Sequence, residues 1–435
     1  MLATPPTHSA FPSPAPSSSE NPKAFAASDG ARRRFGAYVH FPWCLAKCPY
    51  CDFVSFVAPE IDDEGYADAV IREVEVRAGG ADAGRRGRLE SVFFGGGTPS
   101  LWNARDLGRV LNAVRRGFGG SAADGLETTV ECNPTSLDER RAAALVDVGV
   151  TRVSIGVQSL RDDRLRFLGR LHDARGAVAA VQAALRAGVG RVSGDLIFGL
   201  PGQSPEDARD EALELVGLGL SHVSCYQLTI ESGTRFGELA RRGRLPLADE
   251  GAVAEAFVAI DEALTGAGLR HYEVSNYARG GHEARHNLGY WRGDEYVGLG
   301  CAAYGFERVS SAAGQRSAEA CQVAGHRWRN VVTPERYVEA TRAPERERVA
   351  AIQEGLEPLD AETLMRERLM LGLRIAEGID LDRAAQDLGV PGWTPARLRA
   401  ATWLEERGRI VREGPILRVP RAAWLWTDDT AARLF

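Results

Sequence analysis

No run of about 18 uncharged apolar residues occurs in this 435-residue sequence, so nothing in it reads as a membrane-spanning helix. The N-terminus has no basic region followed by an apolar stretch, which argues against a secretory signal. Positive charge is not in surplus either: Lys plus Arg is 53 against 59 Asp plus Glu, a net charge of -6. Nucleic acid and anionic membranes are therefore not expected partners. Cysteine is sparse, seven in all, and an odd number spread through a long chain fits a reducing compartment better than a disulfide framework. The cytoplasm is the expected location.

Three of those cysteines nevertheless crowd into "CLAKCPYC", as Cys44, Cys48 and Cys51. A structural zinc site wants four protein ligands, usually in paired C-x2-C units or with His at set spacings, and neither pattern is present. Three soft thiolates in a short loop suit three corners of a [4Fe-4S] cube, leaving the fourth iron without a protein ligand. Two other readings stay open from the residues alone. The thiols could be small buried hydrophobes, or they could hold zinc with a more distant fourth ligand such as His40.

Along the chain, residues 1–34 are Ala-, Pro- and Ser-rich without apolar periodicity and read as a disordered tail. From Tyr38, six short β-branched or aromatic runs ("YVHF", "SVFFGGG", "TTVECNP", "RVSIGVQ", "RVSGDLIFGLP", "HVSCYQLTI") alternate with amphipathic or Ala-rich stretches. Strand–helix repetition of this kind builds right-handed βαβ units on a parallel sheet. A closed barrel needs eight units, so six predict a partial, open (β/α)6 barrel. We expect that core over 35–245, an extension over 246–350, and a smaller, mainly helical, winged-helix-like domain over 351–435. Gly95 to Thr98, Glu131, Gln158 and Asp195 fall at or near strand C-termini, the edge where parallel α/β folds place ligands.

Read together and in order, "YVHFPW" before "CLAKCPYC", "GGGTPS", "VECNP", "GVQS" and "DLIFGLPGQ" resemble the radical S-adenosylmethionine (SAM) superfamily. More narrowly, the chain from about residue 36 to its end is similar to the oxygen-independent coproporphyrinogen III oxidase-like family, and within it to the HemW-like branch of heme chaperones. The resemblance implies a [4Fe-4S] cluster on Cys44, Cys48 and Cys51, whose open iron is chelated by SAM and whose electron cleaves a carbon–sulfur bond of SAM to give a 5'-deoxyadenosyl radical. It implies SAM contacts from Tyr38, Gly96, Gly97, Thr98, Glu131, Gln158, Arg170 and Asp195. Gly95 to Gly97 are expected to let backbone approach the methionine part of SAM closely.

Two features separate the branches. The oxidases carry a fourth cysteine two positions after the third, where this chain has Phe53, so the resemblance favours a chaperone that binds heme and hands it to an acceptor protein. The alternative is a radical SAM enzyme acting on coproporphyrinogen III or another tetrapyrrole. "HNLGYW", His286 to Trp291, matches the H-N-x-x-Y-W motif of the HemW-like branch and implies heme contact by His286. Tyr304 stands where a family histidine often lies. An electron donor for the cluster is a further implied partner. Cys132, Cys225, Cys301 and Cys321 are expected to be inert.

Overall fold

The computed structural model describes residues 33–79, 87–120, 125–309 and 323–435. The expected tail and Cys321 lie outside those residues. Twelve strands form one sheet. In chain order they are β1 (Arg34–Phe41), β2 (Arg88–Gly96), β3 (Glu127–Cys132), β4 (Arg152–Gln158), β5 (Arg191–Phe198) and β6 (His222–Gln227). They continue as β7 (Arg270–Glu273), β8 (Asn276–Ala278), β9 (Glu295–Leu299), β10 (Tyr304–Arg308), β11 (Val323–Asn330) and β12 (Gln353–Asp360).

Across the sheet the order is β12-β11-β10-β9-β1-β2-β3-β4-β5-β6-β8-β7, and the two edges do not pair, so the sheet is open. All six expected parallel strands are present. A seventh, β9, adds on the far side of β1 through a parallel pairing of Tyr38 with Gly298 and its neighbours. The remaining edges are antiparallel: β8 and β7 extend β6, while β10, β11 and β12 extend β9.

Alternation along the strands explains the curvature. Ala37, Val39 and Phe41 of β1 and Val153, Ile155 and Val157 of β4 are fully buried against the outer helices. Their inward-pointing neighbours Tyr38, Ser154, Gly156 and Gln158 are only half-buried. A parallel sheet covered by helices on both faces reads as continuous apolar runs; here one face is polar because it lines an accessible lumen. The outer helices start on side-chain caps: Asn103 before Ala104–Phe118, Asp173 before Ala174–Arg186, and Ser204 in a capping box before Pro205–Gly217.

A second hydrophobic cluster, from Met365 to Leu434, packs helices Ala361–Gly372, Leu381–Leu388 and Pro395–Glu405 against a small sheet of Ile379–Asp380, Val411–Glu413 and Ile416–Arg418. Val411–Glu413 and Ile416–Arg418 pair antiparallel as a hairpin. Among the described residues no helix is long and apolar enough to cross a membrane.

Candidate functional site

The lumen's mouth is where β1 ends. Beyond Phe41 the chain passes through Trp43–Cys44, which pairs with Phe56–Val57 and so closes the cysteine loop back on itself. The tip of β2 is stitched to the same segment: Gly97 N donates to Phe41 O at 2.7 Å and Thr98 N to Trp43 O at 2.8 Å. The glycines make this approach possible. A Cβ on Gly97 would stand 2.5 Å from Trp43 O, and one on Gly96, whose φ is +112°, would stand 2.5 Å from the His40 ring. The close backbone contact in the structure is thus with the root of the cysteine loop, a use of the glycines that the sequence did not indicate.

Cys44, Cys48 and Cys51 are free, half-buried thiols on that loop. Thr98 Oγ1 donates to Cys44 Sγ and Arg170 Nη1 to Cys48 Sγ, each at 3.4 Å. Burial raises the Cys44 and Cys51 thiols above their ordinary pKa, so metal binding there must displace protons. Among the described residues no set of three His, Cys, Asp or Glu side chains is already gathered closely enough to hold a metal ion. A shallow pocket opens beside the loop, lined by Leu45, Cys48, Thr98, Asn133, Arg170 and Leu171 among others.

His40 does not offer a fourth ligand. Its Nε2 faces Val54 O at 2.9 Å, an oxygen that only accepts, so Nε2 carries the hydrogen and Nδ1 accepts from Tyr38 Oη at 3.0 Å. Burial lowers its pKa to about 4, keeping it neutral. The zinc alternative loses the ligand proposed for it.

Deeper in the lumen, Glu131 accepts from Gly96 N at 3.1 Å, and burial raises its pKa to about 7. Asp195 accepts from Ser154 Oγ through both oxygens, at 3.0 and 2.9 Å, and from Ser193 Oγ at 3.3 Å. Burial raises its pKa too. Arg170 Nη2 donates to Gly156 O at 3.1 Å, while its buried Nε has no partner. Gln158 ends β4 in the left-handed region at φ +65°, after a bulge, a conformation rare for a residue with a side chain. Tyr38 and Phe93 form an aromatic wall below Gly95, their rings stacked at 6.2 Å.

His286 lies away from this mouth. It is the second residue of the helix Arg285–Trp291, which is anchored by His286 N donating to Glu127 Oε1, at the first residue of β3. Its ring is buried, stacked on Phe93 at 4.9 Å, with Nδ1 on Ser91 Oγ at 2.8 Å and Nε2 on Tyr290 Oη at 3.1 Å. Burial lowers its pKa to about 3. The motif therefore plugs the end of the lumen opposite the cysteine loop. Tyr304 is exposed, and Cys132, Cys225 and Cys301 are buried. The serines that hold Asp195 escaped the sequence reading, although their alternation with Val and Ile in "RVSIGVQ" and "RVSGDLIF" carried the signal.

An open parallel sheet with three loop thiols at its mouth is the architecture of a radical SAM protein. The Radical SAM superfamily model matches residues 38–215 and the HemN C-terminal domain model residues 359–426. The heme chaperone HemW of Haemophilus influenzae is 38% identical over 270 residues, 62% of this chain and 69% of that protein. That of Mycobacterium tuberculosis is 36% identical over 352 residues, 80% of this chain and 84% of that protein. Coproporphyrinogen III oxidase (HemN) from Escherichia coli superposes with a TM-score of 0.73 over 93% of this chain and 90% of that one, at 19% identity, a likeness of fold. The chain belongs to the radical SAM superfamily and, within it, to the family of the heme chaperone HemW. Membership of that superfamily implies a [4Fe-4S] cluster and SAM.

Proposed function

We propose that this protein is a HemW-like heme chaperone that holds a [4Fe-4S] cluster on Cys44, Cys48 and Cys51, SAM in the lumen, and heme, and passes the heme to an acceptor protein in the cytoplasm. The observation that carries the proposal is the placing of three free thiols on one loop at the lumen's mouth, with Thr98 and Arg170 donating to two of the sulfurs and Glu131 and Asp195 deeper in the same lumen.

The residues suit these groups. Three thiolates bind a cluster and leave one position for another ligand. Thr98 and Arg170 donate to two of the sulfurs, offsetting the negative charge that builds on them. Arg170 Nε, a buried donor with no partner, suits a carboxylate acceptor. Glu131 and Asp195 are held in place by Gly96 N–H and by Ser154, and each keeps acceptor capacity for hydroxyl or ammonium donors. Gln158, at the strained end of β4, adds an amide to the same rim. When bound, cluster and SAM supply one-electron chemistry.

For heme, the relatives' names supply the ligand and the cysteine loop supplies apolar surface, with Leu45, Phe53, Val57 and Leu171 exposed around it. Iron ligation by His286 would require its bonds to Ser91 or Tyr290 to break. The test is anaerobic reconstitution followed by heme titration and incubation with SAM and coproporphyrinogen III. Retained heme with no turnover supports the chaperone; formation of protoporphyrinogen overturns it.

A further inference from the structure

We propose that Arg152 is a positioning residue whose buried charge favours the ionised forms of Glu131 and Asp195, so that both can accept hydrogen bonds from a ligand offering hydroxyl or ammonium donors. This rests on the reading of the lumen as the SAM site.

Arg152 opens β4 and is 2% exposed, yet among the described residues it has no carboxylate within ion-pair distance, and its Nε has no hydrogen-bond partner. Its Nη2 lies 3.4 and 3.5 Å from the two ring nitrogens of His222. Those nitrogens are already committed to Ser193 Oγ at 2.7 Å and Tyr272 Oη at 2.8 Å. An uncompensated guanidinium so deeply buried costs stability, and its placement shows what offsets it. Ser154 is two residues further along β4 on the same lumen face, opposite Glu131 in the register with β3, and it holds both oxygens of Asp195. The Arg152 backbone therefore lies two residues, about 7 Å of strand, before Ser154 on the same lumen face, and its charge acts on both carboxylates through protein rather than water.

The other charged groups nearby are committed elsewhere. Arg191, its neighbour on β5, pairs with Glu127 at 3.0 Å, and Glu127 also accepts from His286 N. His222 and His286, which face Arg152 from β6 and from the Arg285–Trp291 helix, are held neutral by burial and by Arg152 itself. Tyr272, facing it from β7, is kept protonated by burial. Glu131 and Asp195 are the anions left to balance Arg152, and its charge opposes the burial that raises both their pKa values. A protonated carboxyl loses part of its acceptor capacity, so losing the counter-cation has a definite pH signature.

The test measures SAM affinity from pH 6 to 9 for the reconstituted protein and for Arg152→Met and Arg152→Lys. Arg152→Met is expected to weaken binding about fivefold at pH 7 and to move the midpoint of the pH dependence up by about one unit, with affinity recovering near pH 9. Arg152→Lys, which keeps the charge, is expected to follow the parent curve. Parallel weakening at every pH, or equal effects of Met and Lys, would mean a merely structural residue and overturn the proposal. Infrared titration of protonated carboxyl groups in the ligand-free proteins separates the two readings. If the parent binds no SAM, the SAM reading fails, and an unshifted carboxyl midpoint in Arg152→Met sinks the role of Arg152 independently.

Discussion

His40 donates its Nε2 hydrogen to the carbonyl oxygen of Val54 at 2.9 Å, tying the lumen wall to the segment that leads from the cysteine loop into Phe56–Val57. Tyr38 completes the relay from behind by donating to His40 Nδ1. The loop is thus held at both ends, by the β2 tip at its root and by an imidazole at its return. Replacing His40 by Ala leaves the Val54 carbonyl and the Tyr38 hydroxyl without these partners, at a cost of about 1–3 kcal/mol for each group left unpaired. We expect a lower urea midpoint and less iron retained per chain after reconstitution; unchanged iron content would show that the loop does not depend on this bond.

Arg170 uses a planar fork, one arm on Cys48 Sγ and the other on Gly156 O. Lysine cannot span both. Arg170→Lys is therefore expected to behave like Arg170→Met, with SAM affinity reduced about tenfold or more, the scale of losing a hydrogen bond to a charged group. Equilibrium dialysis checks this, and full affinity in the Lys variant would count against the fork.

Gly97→Ala puts a methyl group 2.5 Å from Trp43 O, a backbone atom that cannot swing aside. The β2 tip and the root of the cysteine loop must separate, with an overpacking cost of about 1–3 kcal/mol. Thermal unfolding should show the loss, and reconstituted iron should fall with it.

Burial depresses the His286 pKa from 6.5 to about 3. The unfolded chain then binds a proton that the folded one refuses, so this residue's contribution is full above pH 6.5 and is lost as pH falls toward 3. His286→Gln, which does not titrate, should be destabilising at pH 7, and the gap between its urea midpoint and the parent's should narrow by pH 5. A gap independent of pH would show that His286 is not held neutral.

The parallel core was legible because β-branched or aromatic runs alternate with helical stretches, most of which carry a capping side chain, as in "RVSIGVQ" and "SPEDARDEALELVG". β9 was not. "EYVGL" is five residues long, follows an aromatic motif, and finds its partner in β1, some 260 residues earlier; only tertiary pairing makes it a strand. The mouth was legible at Cys44, Cys48, Cys51, Glu131 and Asp195, where unusual residues sit at or near strand ends. The place of His286 was hidden for a different reason. A seven-residue helix with His and Tyr four apart packs equally well at a lumen's floor or beside a ligand, and only the bonds to Ser91 and Glu127 distinguish the two.

The central claim is a cluster held by three thiols next to a lumen that takes SAM. Electron paramagnetic resonance of the anaerobically reconstituted, dithionite-reduced protein tests it most directly. The account predicts a reduced [4Fe-4S] signal that changes on adding SAM and disappears in Cys44→Ala, Cys48→Ala and Cys51→Ala. A protein that assembles no cluster, or whose signal ignores SAM, would contradict it.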